Sequence, residues 1–341
     1  MERRTYGFYL RDRLGDGVTH LQTFVTDLEV ESQDSVVATF ATGEKRSYKA
    51  IVLAMGHGKA RVPNFLLNAP ESPKIIREVW DGKALPESRT LICFGTGLTF
   101  IDIALTHLSR DSKSTVIAIS GSGNLPERHQ ISPITPFAPT LESVSTLAKL
   151  RAYLLAAGDS WREAVDGLRP ITEAMWRGFS IEEREEFLRT DGSSWSRRRH
   201  RIAPEVADEV EVNIASGRIQ VHKGKVASVA SVGSDSEGVK VLLEDGVELT
   251  GDLLAICIGR DYQLSDPLTL NLLQERKASR GPLGMGLSVD VSTGRLNDGD
   301  GVTYPQIYAI GPLRSGEAFE STAIPEIRKQ AWAVAKSFEI A

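Results

Sequence analysis

The stretch TLICFGTGLTFIDIALTHL, which runs from Thr90 to Leu108, limits the fold more than any other part of the chain. It is typical of a buried strand that turns on glycine into a helix, the unit that binds nucleotides in doubly wound α/β domains. Gly95 would permit the tight turn, and Gly97 would let the backbone approach a pyrophosphate, whose charge the helix N-terminus attracts. The pattern predicts a nucleotide site that comprises Gly95, Thr96, Gly97 and Thr99.

The glycine signature is incomplete, because Phe100 occupies the position of the third glycine in the dinucleotide fingerprint. Methyltransferases that use S-adenosylmethionine and plain structural turns also contain a Gly-x-Gly turn, so both alternatives stay open. The next apolar strand carries Ser120 and Ser122 at its tip and Arg128 farther on, without the acid that binds a free ribose hydroxyl. This pattern favours NADPH over NADH only slightly.

Two other apolar strands also end in glycine, IVLAMG at Gly56 and IYAIG at Gly311. Such a glycine often marks only a turn, yet two-domain flavin-binding oxidoreductases use it to approach the flavin. The closing helix STAIPEIRKQAWAVAKSF has Pro325 near its start, where a missing N–H does no harm. We therefore expect Gly56, Gly311 and Pro312 beside the flavin, and Pro325 and Glu326 at the helix end that points to its ring.

A helical insertion is predicted over residues 140–215, where apolar residues recur with a helical period. Its later part contains the basic segment SRRRHRIAP, which includes Arg199, His200 and Arg201. Such a segment can be a solvated edge of the insertion. It can equally bind the phosphate of NADPH or a carboxylate substrate, because arginine offers two parallel donors. The sequence does not decide between these interpretations.

Composition excludes several classes of protein. The 341 residues carry a formal net charge of −5, which gives no general attraction to nucleic acids or anionic membranes. No apolar run approaches the roughly 18 residues needed to span a bilayer, and the N-terminus lacks the pattern of a secretory signal. The histidines lack metal-ligand spacing, so no metal is predicted. We expect a cytoplasmic protein with a small-molecule substrate and no nucleic-acid or membrane partner, and the oligomeric state stays open.

The two cysteines, Cys93 and Cys257, lie in apolar strand-like segments that are far apart in the sequence. We interpret them as buried, inert thiols rather than as a disulfide framework or a zinc site. A thiol–disulfide reductase would need two cysteines close together, so the sequence argues against that class of flavoenzyme.

The segments together resemble bacterial FAD/NAD(P)-binding proteins of the group that includes FAD-dependent urate hydroxylases and aspartate N-monooxygenases. The resemblance covers nearly the whole chain and rests on RRTYGFYL, IVLAMGHG, GTGLTFID, GDSWREAVDGLRP, RHRIAPEV, YAIGPL and STAIPEIRKQA. It implies an α/β flavoprotein fold with two Rossmann-type dinucleotide-binding domains. The FAD-binding domain would comprise residues 1–85 and 250–341, and the NAD(P)-binding domain residues 86–249, including the insertion 140–215.

The resemblance also implies FAD and NAD(P)H as cofactors, and oxidation or hydroxylation of a small polar molecule by a monooxygenase. In such proteins the first glycine fingerprint, which holds the FAD pyrophosphate, lies upstream of the helix that RRTYGFYL matches. We therefore expect an N-terminally truncated chain with an incomplete FAD domain. The alternative is a catalytically inactive or regulatory nucleotide-binding protein that has lost FAD binding.

Overall fold

The structure is a computed structural model that describes residues 3–15, 17–67, 71–232, 238–259 and 264–339. Its α-helices, in chain order, are α1 (Arg3–Arg13), α2 (Leu98–Leu108), α3 (Leu147–Ala156), α4 (Trp161–Leu168), α5 (Thr172–Gly178), α6 (Ile181–Thr190), α7 (Gly192–Arg199), α8 (Pro204–Ala215), α9 (Pro267–Gln274), α10 (Ser315–Ala318) and α11 (Ile324–Glu339). Its strands are β1 (Val25–Ser32), β2 (Ser35–Phe40), β3 (Lys45–Tyr48), β4 (Ile51–Leu53), β5 (Ile75–Ile76), β6 (Thr90–Phe94), β7 (Thr115–Ser120), β8 (Ile219–Lys223), β9 (Val226–Val232), β10 (Gly238–Leu243), β11 (Glu248–Gly251), β12 (Leu253–Ile256), β13 (Arg295–Asn297) and β14 (Thr303–Ala309).

The largest described sheet has five parallel strands in the order β5-β12-β6-β7-β8. Strand β12 is buried along its whole length, as expected of a parallel strand that is covered on both faces. Phe100 of α2 and Val210 of α8 pack in one apolar cluster with this sheet. Val239 and Val241 of β10 belong to a second cluster with it, so the antiparallel meander β9-β10-β11 provides a further layer.

This sheet includes strands from outside the range 86–249 that the sequence predicts for the NAD(P)-binding domain. Strand β5 pairs with β12, and β12 pairs with β6. The fully buried segment LLAI of β12 is suited to a position between two strands, because both of its faces are apolar. The predicted boundary at residue 250 therefore falls before a strand of the same sheet.

The two cysteines are distant in the sequence but are neighbours in this sheet. Ala255 lies opposite Cys93, and Cys257 follows two residues later, which places both cysteines on one face. Both thiols are free and buried. The hydrogen bond with Cys257 and burial together raise the pKa of Cys93 well above its ordinary value. Both thiols are buried, as expected, but the premise that they are far apart is wrong, because strand pairing brings them together.

A second sheet, β13-β14-β4, brings two of the predicted glycines to one edge. Strands β4 and β14 are parallel, with Leu53 opposite Ala309, so both strands end on the same side. Gly56 follows β4 and Gly311 follows β14, with φ of +69° and +70°. These left-handed conformations favour glycine, and they explain why both strands end in this residue.

The helical insertion is fixed to the C-terminal segment by an aromatic cluster. Trp176, Phe187 and Trp195 are buried in the core of the insertion. Phe319, which follows α10, stacks on Trp176 with a distance of 4.4 Å between ring centroids. The indole N–H of Trp176 also donates to the carbonyl of Gly316 at 2.9 Å. Trp176 and Trp195 are therefore core residues of the insertion.

Candidate functional site

Gly95 turns the chain from β6 towards α2 in a conformation that other residues rarely adopt. Its φ is +112°, and its N–H donates to the carbonyl of Ile119 at 2.8 Å. A Cβ atom at this position would lie 2.5 Å from the carbonyl oxygen of Cys257. Only glycine therefore allows the backbone to pass this close to the end of β12 before the helix begins.

The N-terminus of α2 offers backbone donors to a ligand. Gly97 is the N-cap residue, and no side chain caps the first turn. The first N–H groups of a helix have no partners within it, so they are available to an anion. No atom lies within 4 Å of the place that a Cβ on Gly97 would take, so a ligand can approach the backbone closely.

We name the space next to this turn the glycine-turn cavity. It has a volume of about 490 Å³ and is lined by residues 95–99, by the end of β7 and the loop after it, by residues 257–259 and by one face of α7. Thr99 is one of the lining residues. The cavity lies at the carboxyl ends of parallel strands, where open α/β sheets bind their ligands.

Thr96 fixes one wall of the glycine-turn cavity. Its side chain is buried, and its hydroxyl lies 2.6 Å from the carbonyl oxygen of Asn124 and 3.0 Å from the hydroxyl of Ser120. These contacts hold the loop after β7 against the glycine turn. Thr96 therefore supports the cavity through the loop rather than through a free hydroxyl.

Arg197 supplies a cation to the glycine-turn cavity, whereas sequence reasoning selected the neighbouring Arg199 and Arg201. The Nε atom of Arg197 is buried and lacks a hydrogen-bond partner among the described residues. Ser193 and His200 also line the cavity, and they lie about one helical turn before and after Arg197. This helical spacing is present in the sequence and could have identified Arg197.

Arg199 and Arg201 do not line this cavity, because both are buried in ion pairs. The guanidinium of Arg199 lies 2.9 Å from a carboxylate oxygen of Glu326, and Arg201 pairs closely with Asp166. Burial lowers the pKa of Arg199, although nearby carboxylates partly offset this effect. Neither arginine is a solvated edge, and neither is free to bind an anion in the glycine-turn cavity.

A second cavity lies at the N-terminus of α11, and we name it the α11 cavity. Its volume is about 360 Å³, and the predicted residues Pro325 and Glu326 line it together with Arg169, Glu173, Glu320 and Lys329. Sequence reasoning missed Arg169 and Lys329, although Lys329 follows Glu326 by one helical turn. This cavity combines charges of both signs in a small space.

The other residues predicted to lie beside a flavin do not line the α11 cavity. The N–H of Gly311 donates to the side-chain oxygen of Gln330 at 2.7 Å, and Gln330 lines the α11 cavity. Pro312 continues from Gly311 into a short 3-10 turn. Gly56 is exposed, with open space where a Cβ would be. The backbone donor of Gly311 is therefore already engaged.

Glu320 joins the two cavities. It lines the α11 cavity, and its carboxylate lies 3.4 Å from Nε2 of His200, which lines the glycine-turn cavity. The other carboxylate oxygen accepts the indole N–H of Trp195 at 2.6 Å. Burial raises the pKa of Glu320, but His200, Arg199 and Trp195 outweigh burial and hold it below its ordinary value. Glu320 is thus a buried carboxylate that stays ionised.

Phe319, immediately before Glu320, has a strained backbone. Its φ is +46° and its ψ is −75°, in a region that is costly for a residue with a side chain. Its ring is held in the aromatic cluster by Trp176 and by Phe187, whose ring lies 5.4 Å away. This packing offsets the strain and fixes the position of the Glu320 carboxylate.

The low pKa of Glu320 makes part of the stability dependent on pH. A carboxylate whose pKa is lower in the folded state contributes stability above its unfolded pKa, about 4.3, and loses it as pH falls through the folded pKa. We expect Glu320→Gln to reduce the free energy of unfolding at pH 7. The difference from the unaltered chain should shrink as the pH falls below about 5. Urea unfolding at several pH values measures it, and a difference that is constant with pH would contradict the assignment.

The part of the chain that the structure describes contains neither a candidate metal site nor a candidate membrane-spanning helix. No group of histidine, cysteine and acidic side chains there could hold a metal ion. Within the same residues, no helix is both long enough and apolar enough to cross a bilayer.

Comparison with known proteins gives matches only among solved structures. No protein-family model matches the chain, and no curated protein sequence matches it either. The ornithine N-hydroxylase of Kutzneria sp. 744, described with reduced FAD, NADP⁺ and L-ornithine, is 18% identical, with a TM-score of 0.61 over 99% of this chain and 77% of that one. The L-lysine 6-monooxygenase of Pseudomonas syringae is 17% identical, with a TM-score of 0.61 over 100% of this chain and 76% of that one.

An enzyme of another class has a similar fold. The bacillithiol disulfide reductase of Bacillus cereus is 15% identical, with a TM-score of 0.54 over 99% of this chain and 77% of that one. At identities this low the likeness shows a shared fold and not a shared reaction. The predicted fold class is confirmed: the chain has the α/β, Rossmann-type fold of two-dinucleotide-binding flavoprotein oxidoreductases.

Proposed function

We propose that the chain is an FAD- and NAD(P)H-dependent oxidoreductase that hydroxylates a small polar molecule. The observation that carries this proposal is the pair of cavities joined by His200 and Glu320, one at a glycine turn and one at the N-terminus of α11. The fold shared with N-hydroxylating monooxygenases supports it. The two free cysteines support a cytoplasmic location.

The glycine-turn cavity fits NAD(P)H. The uncapped first turn of α2 would bind the pyrophosphate, and the open space at Gly97 would let it approach the backbone. The buried Nε of Arg197 lacks an acceptor among the described residues, and a phosphate would supply one. Arg197 lines the cavity and forms no ion pair among the described residues, so its charge favours a ligand that carries negative charge.

The surroundings of α11 fit one side of a flavin. Gly56 and Gly311 end two neighbouring parallel strands, and the N-terminus of α11 begins close to Gly311. A helix N-terminus stabilises negative charge, so Pro325 and Glu326 would lie where a flavin ring gains electron density. Among the described residues, no second glycine turn of the dinucleotide type accompanies these strands. We therefore propose that the FAD domain, residues 1–85 and 250–341, contacts the flavin through these strand ends and the N-terminus of α11.

When bound, NAD(P)H would supply electrons, and FAD would pass them to oxygen. The chain's residues would bind and orient these groups. The carboxylate of Glu320, which lies 3.4 Å from Nε2 of His200, would orient the imidazole ring. His200 would thereby be held in place at the wall of the glycine-turn cavity, beside the coenzyme.

The α11 cavity favours a small polar substrate that carries charge. Arg169 and Lys329 would attract a carboxylate, while Glu173 would attract an amine. The limited volume, about 360 Å³, excludes large substrates if a flavin ring occupies part of the space. A small anionic or zwitterionic molecule meets these conditions best.

The position of Arg197 leads to a prediction about coenzyme choice. We expect Arg197→Ala to weaken NADPH binding by about tenfold or more, because a charge-assisted hydrogen bond to the 2′-phosphate is lost. NADH binding should change little, since NADH lacks this phosphate. Calorimetric titration of both coenzymes measures the effect without requiring enzymatic activity.

Arg128→Ala is the matched control for Arg197→Ala. Arg128 is the arginine that the sequence places after the Ser120 strand, but its guanidinium lies 2.6 Å from a carboxylate oxygen of Asp208. It is therefore already paired, and its loss should leave the ratio of NADPH to NADH affinity unchanged. Equal weakening of both coenzymes by Arg197→Ala would assign this residue to the pyrophosphate instead.

The experiment that tests the proposed function is NADPH consumption in air by the chain supplied with FAD. A panel of small amino acids and carboxylates is screened for stimulation of oxygen uptake and for a hydroxylated product. The proposal expects at least one compound to stimulate both. NADPH binding without any flavin-dependent oxidation would favour the alternative, a nucleotide-binding protein without catalytic activity.

A further inference from the structure

The helical insertion contains a third cavity, which the proposed reaction does not use. This insertion cavity has a volume of about 320 Å³ and is lined by residues of α3, α4, α6 and α7. Its floor consists of buried side chains from the core of the insertion, namely Leu147, Leu150, Val165, Phe187 and Trp195. A space of this size with an apolar floor falls in the lower range of small-molecule sites.

The mouth of the insertion cavity is also apolar. Leu154 is half-buried there, and Leu155 is 83% exposed. Gly158 lines the same edge, with open space where a Cβ would be. An apolar ligand that covered these leucines would remove their surface from water, which favours binding.

The negative charge of Asp191 at the wall of the insertion cavity is already balanced by Arg151. Arg151 lies 2.7 Å from a carboxylate oxygen of Asp191 and 2.6 Å from one of Glu186. Burial raises the pKa of Asp191, but hydrogen bonds from Arg151 and Thr190 outweigh it and keep the pKa below its ordinary value. Asp191 and Glu186 thus share one arginine, and Arg151 has no unpaired positive charge to offer a ligand.

Arg198 provides the uncompensated charge of the insertion cavity. No carboxylate of a described residue lies within ion-pair distance of its guanidinium, which is 5.7 Å from the centre of the Trp161 ring. Arg198 lines the cavity on α7, next to Arg197, which faces the glycine-turn cavity. The two neighbouring arginines therefore serve different cavities.

We propose that the insertion cavity binds a small carboxylate with an apolar body, oriented with its carboxylate towards Arg198. The apolar floor would hold the body, and Arg198 would attract the head group, while Asp191, seven residues earlier on the same wall, repels it. The ligand would contact Trp195, whose indole holds Glu320 at 2.6 Å. Only the side chain of Trp195 would therefore separate a ligand in this cavity from Glu320, which joins the α11 cavity and the glycine-turn cavity.

The test is calorimetric titration of the full chain with octanoate, with octanamide as the uncharged analogue and octylamine as the cationic one. We expect octanoate to bind about tenfold tighter than octanamide, as a charge-assisted hydrogen bond predicts, and octylamine not to bind. Arg198→Gln should make octanoate and octanamide bind equally. Arg177→Gln, on α5 of the same insertion and outside the cavity lining, is the control and should change nothing.

Filling the cavity provides an independent test. Leu154→Trp should abolish octanoate binding, and Ser194→Trp, from the α7 wall, repeats the test if the first variant does not fold. Circular dichroism verifies folding of each variant. Absence of octanoate binding at millimolar concentration, equal binding of octanoate and octanamide, or unchanged binding in a folded filled variant would overturn the proposal.

Discussion

Replacing Gly95 by alanine is expected to lower the free energy of unfolding by about 3 kcal/mol or more and to abolish NADPH binding. Two effects add in this variant. A residue with a side chain is strained at a φ of +112°. The new Cβ would also lie 2.5 Å from the carbonyl oxygen of Cys257, and backbone on both sides must move to relieve the contact. Urea unfolding and coenzyme titration measure the two losses.

Gly97→Ala is the matched control for Gly95→Ala, because it adds the same methyl group two residues later. Gly97 has a φ of −81°, and no atom lies within 4 Å of the place that the new methyl group would take, so the fold should lose less than about 1 kcal/mol. NADPH binding should still weaken, since the methyl group occupies the space through which a pyrophosphate approaches. Equal destabilisation by the two variants would contradict the proposed division of roles.

Replacing Arg199 by alanine is expected to lower the free energy of unfolding by about 3–5 kcal/mol, because it leaves carboxylates buried without their partner. The Arg199 guanidinium lies 2.9 Å from Glu326 and 4.0 Å from Glu320, and all three side chains are largely buried. The network connects α7 of the insertion to the segment that contains α11. Loss of this network should therefore make the walls of the glycine-turn cavity and the α11 cavity less rigid, and it should also lower the free energy of unfolding. Urea unfolding gives the free-energy change.

Arg151→Ala is the control for this arginine. Arg151 also contacts two carboxylates, but its side chain is 40% exposed, so water can solvate the acids that remain. Arg151→Ala should lower the free energy of unfolding clearly less than Arg199→Ala does. A double variant, Arg199→Met with Glu326→Gln, should cost less than the sum of its single changes. Equal effects of Arg151→Ala and Arg199→Ala would show that burial of the Arg199 network contributes nothing.

Local features of the sequence predicted the glycine turn well. A buried strand, a glycine turn and a helix follow one another directly, so the geometry of Gly95 depends mainly on its immediate neighbours. The resemblance to flavoproteins added the order of the segments, and the fold class follows from that order. Gly56 and Gly311 could be predicted in the same way, since each lies within three residues of the end of a strand.

The partners of charged side chains could not be read from the sequence. Arg197, Arg199 and Arg201 are nearly consecutive, but helix packing directs the first to a cavity and buries the other two against acids. Glu326 is far away in the sequence, so no local pattern links it to Arg199. Strand order raises the same difficulty for Cys93 and Cys257, which become neighbours only when β12 pairs with β6.

The measurement that tests the central claim most directly is the visible absorption spectrum of the purified chain after incubation with FAD and desalting. Our account predicts a retained flavin band that NADPH bleaches in the absence of oxygen, with NADH less effective. Gly97→Ala should retain the band but respond poorly to NADPH, because the flavin side is unchanged in that variant. A colourless chain, or a retained band that NADPH does not bleach, would contradict the proposal that this chain is a working flavin-dependent oxidoreductase.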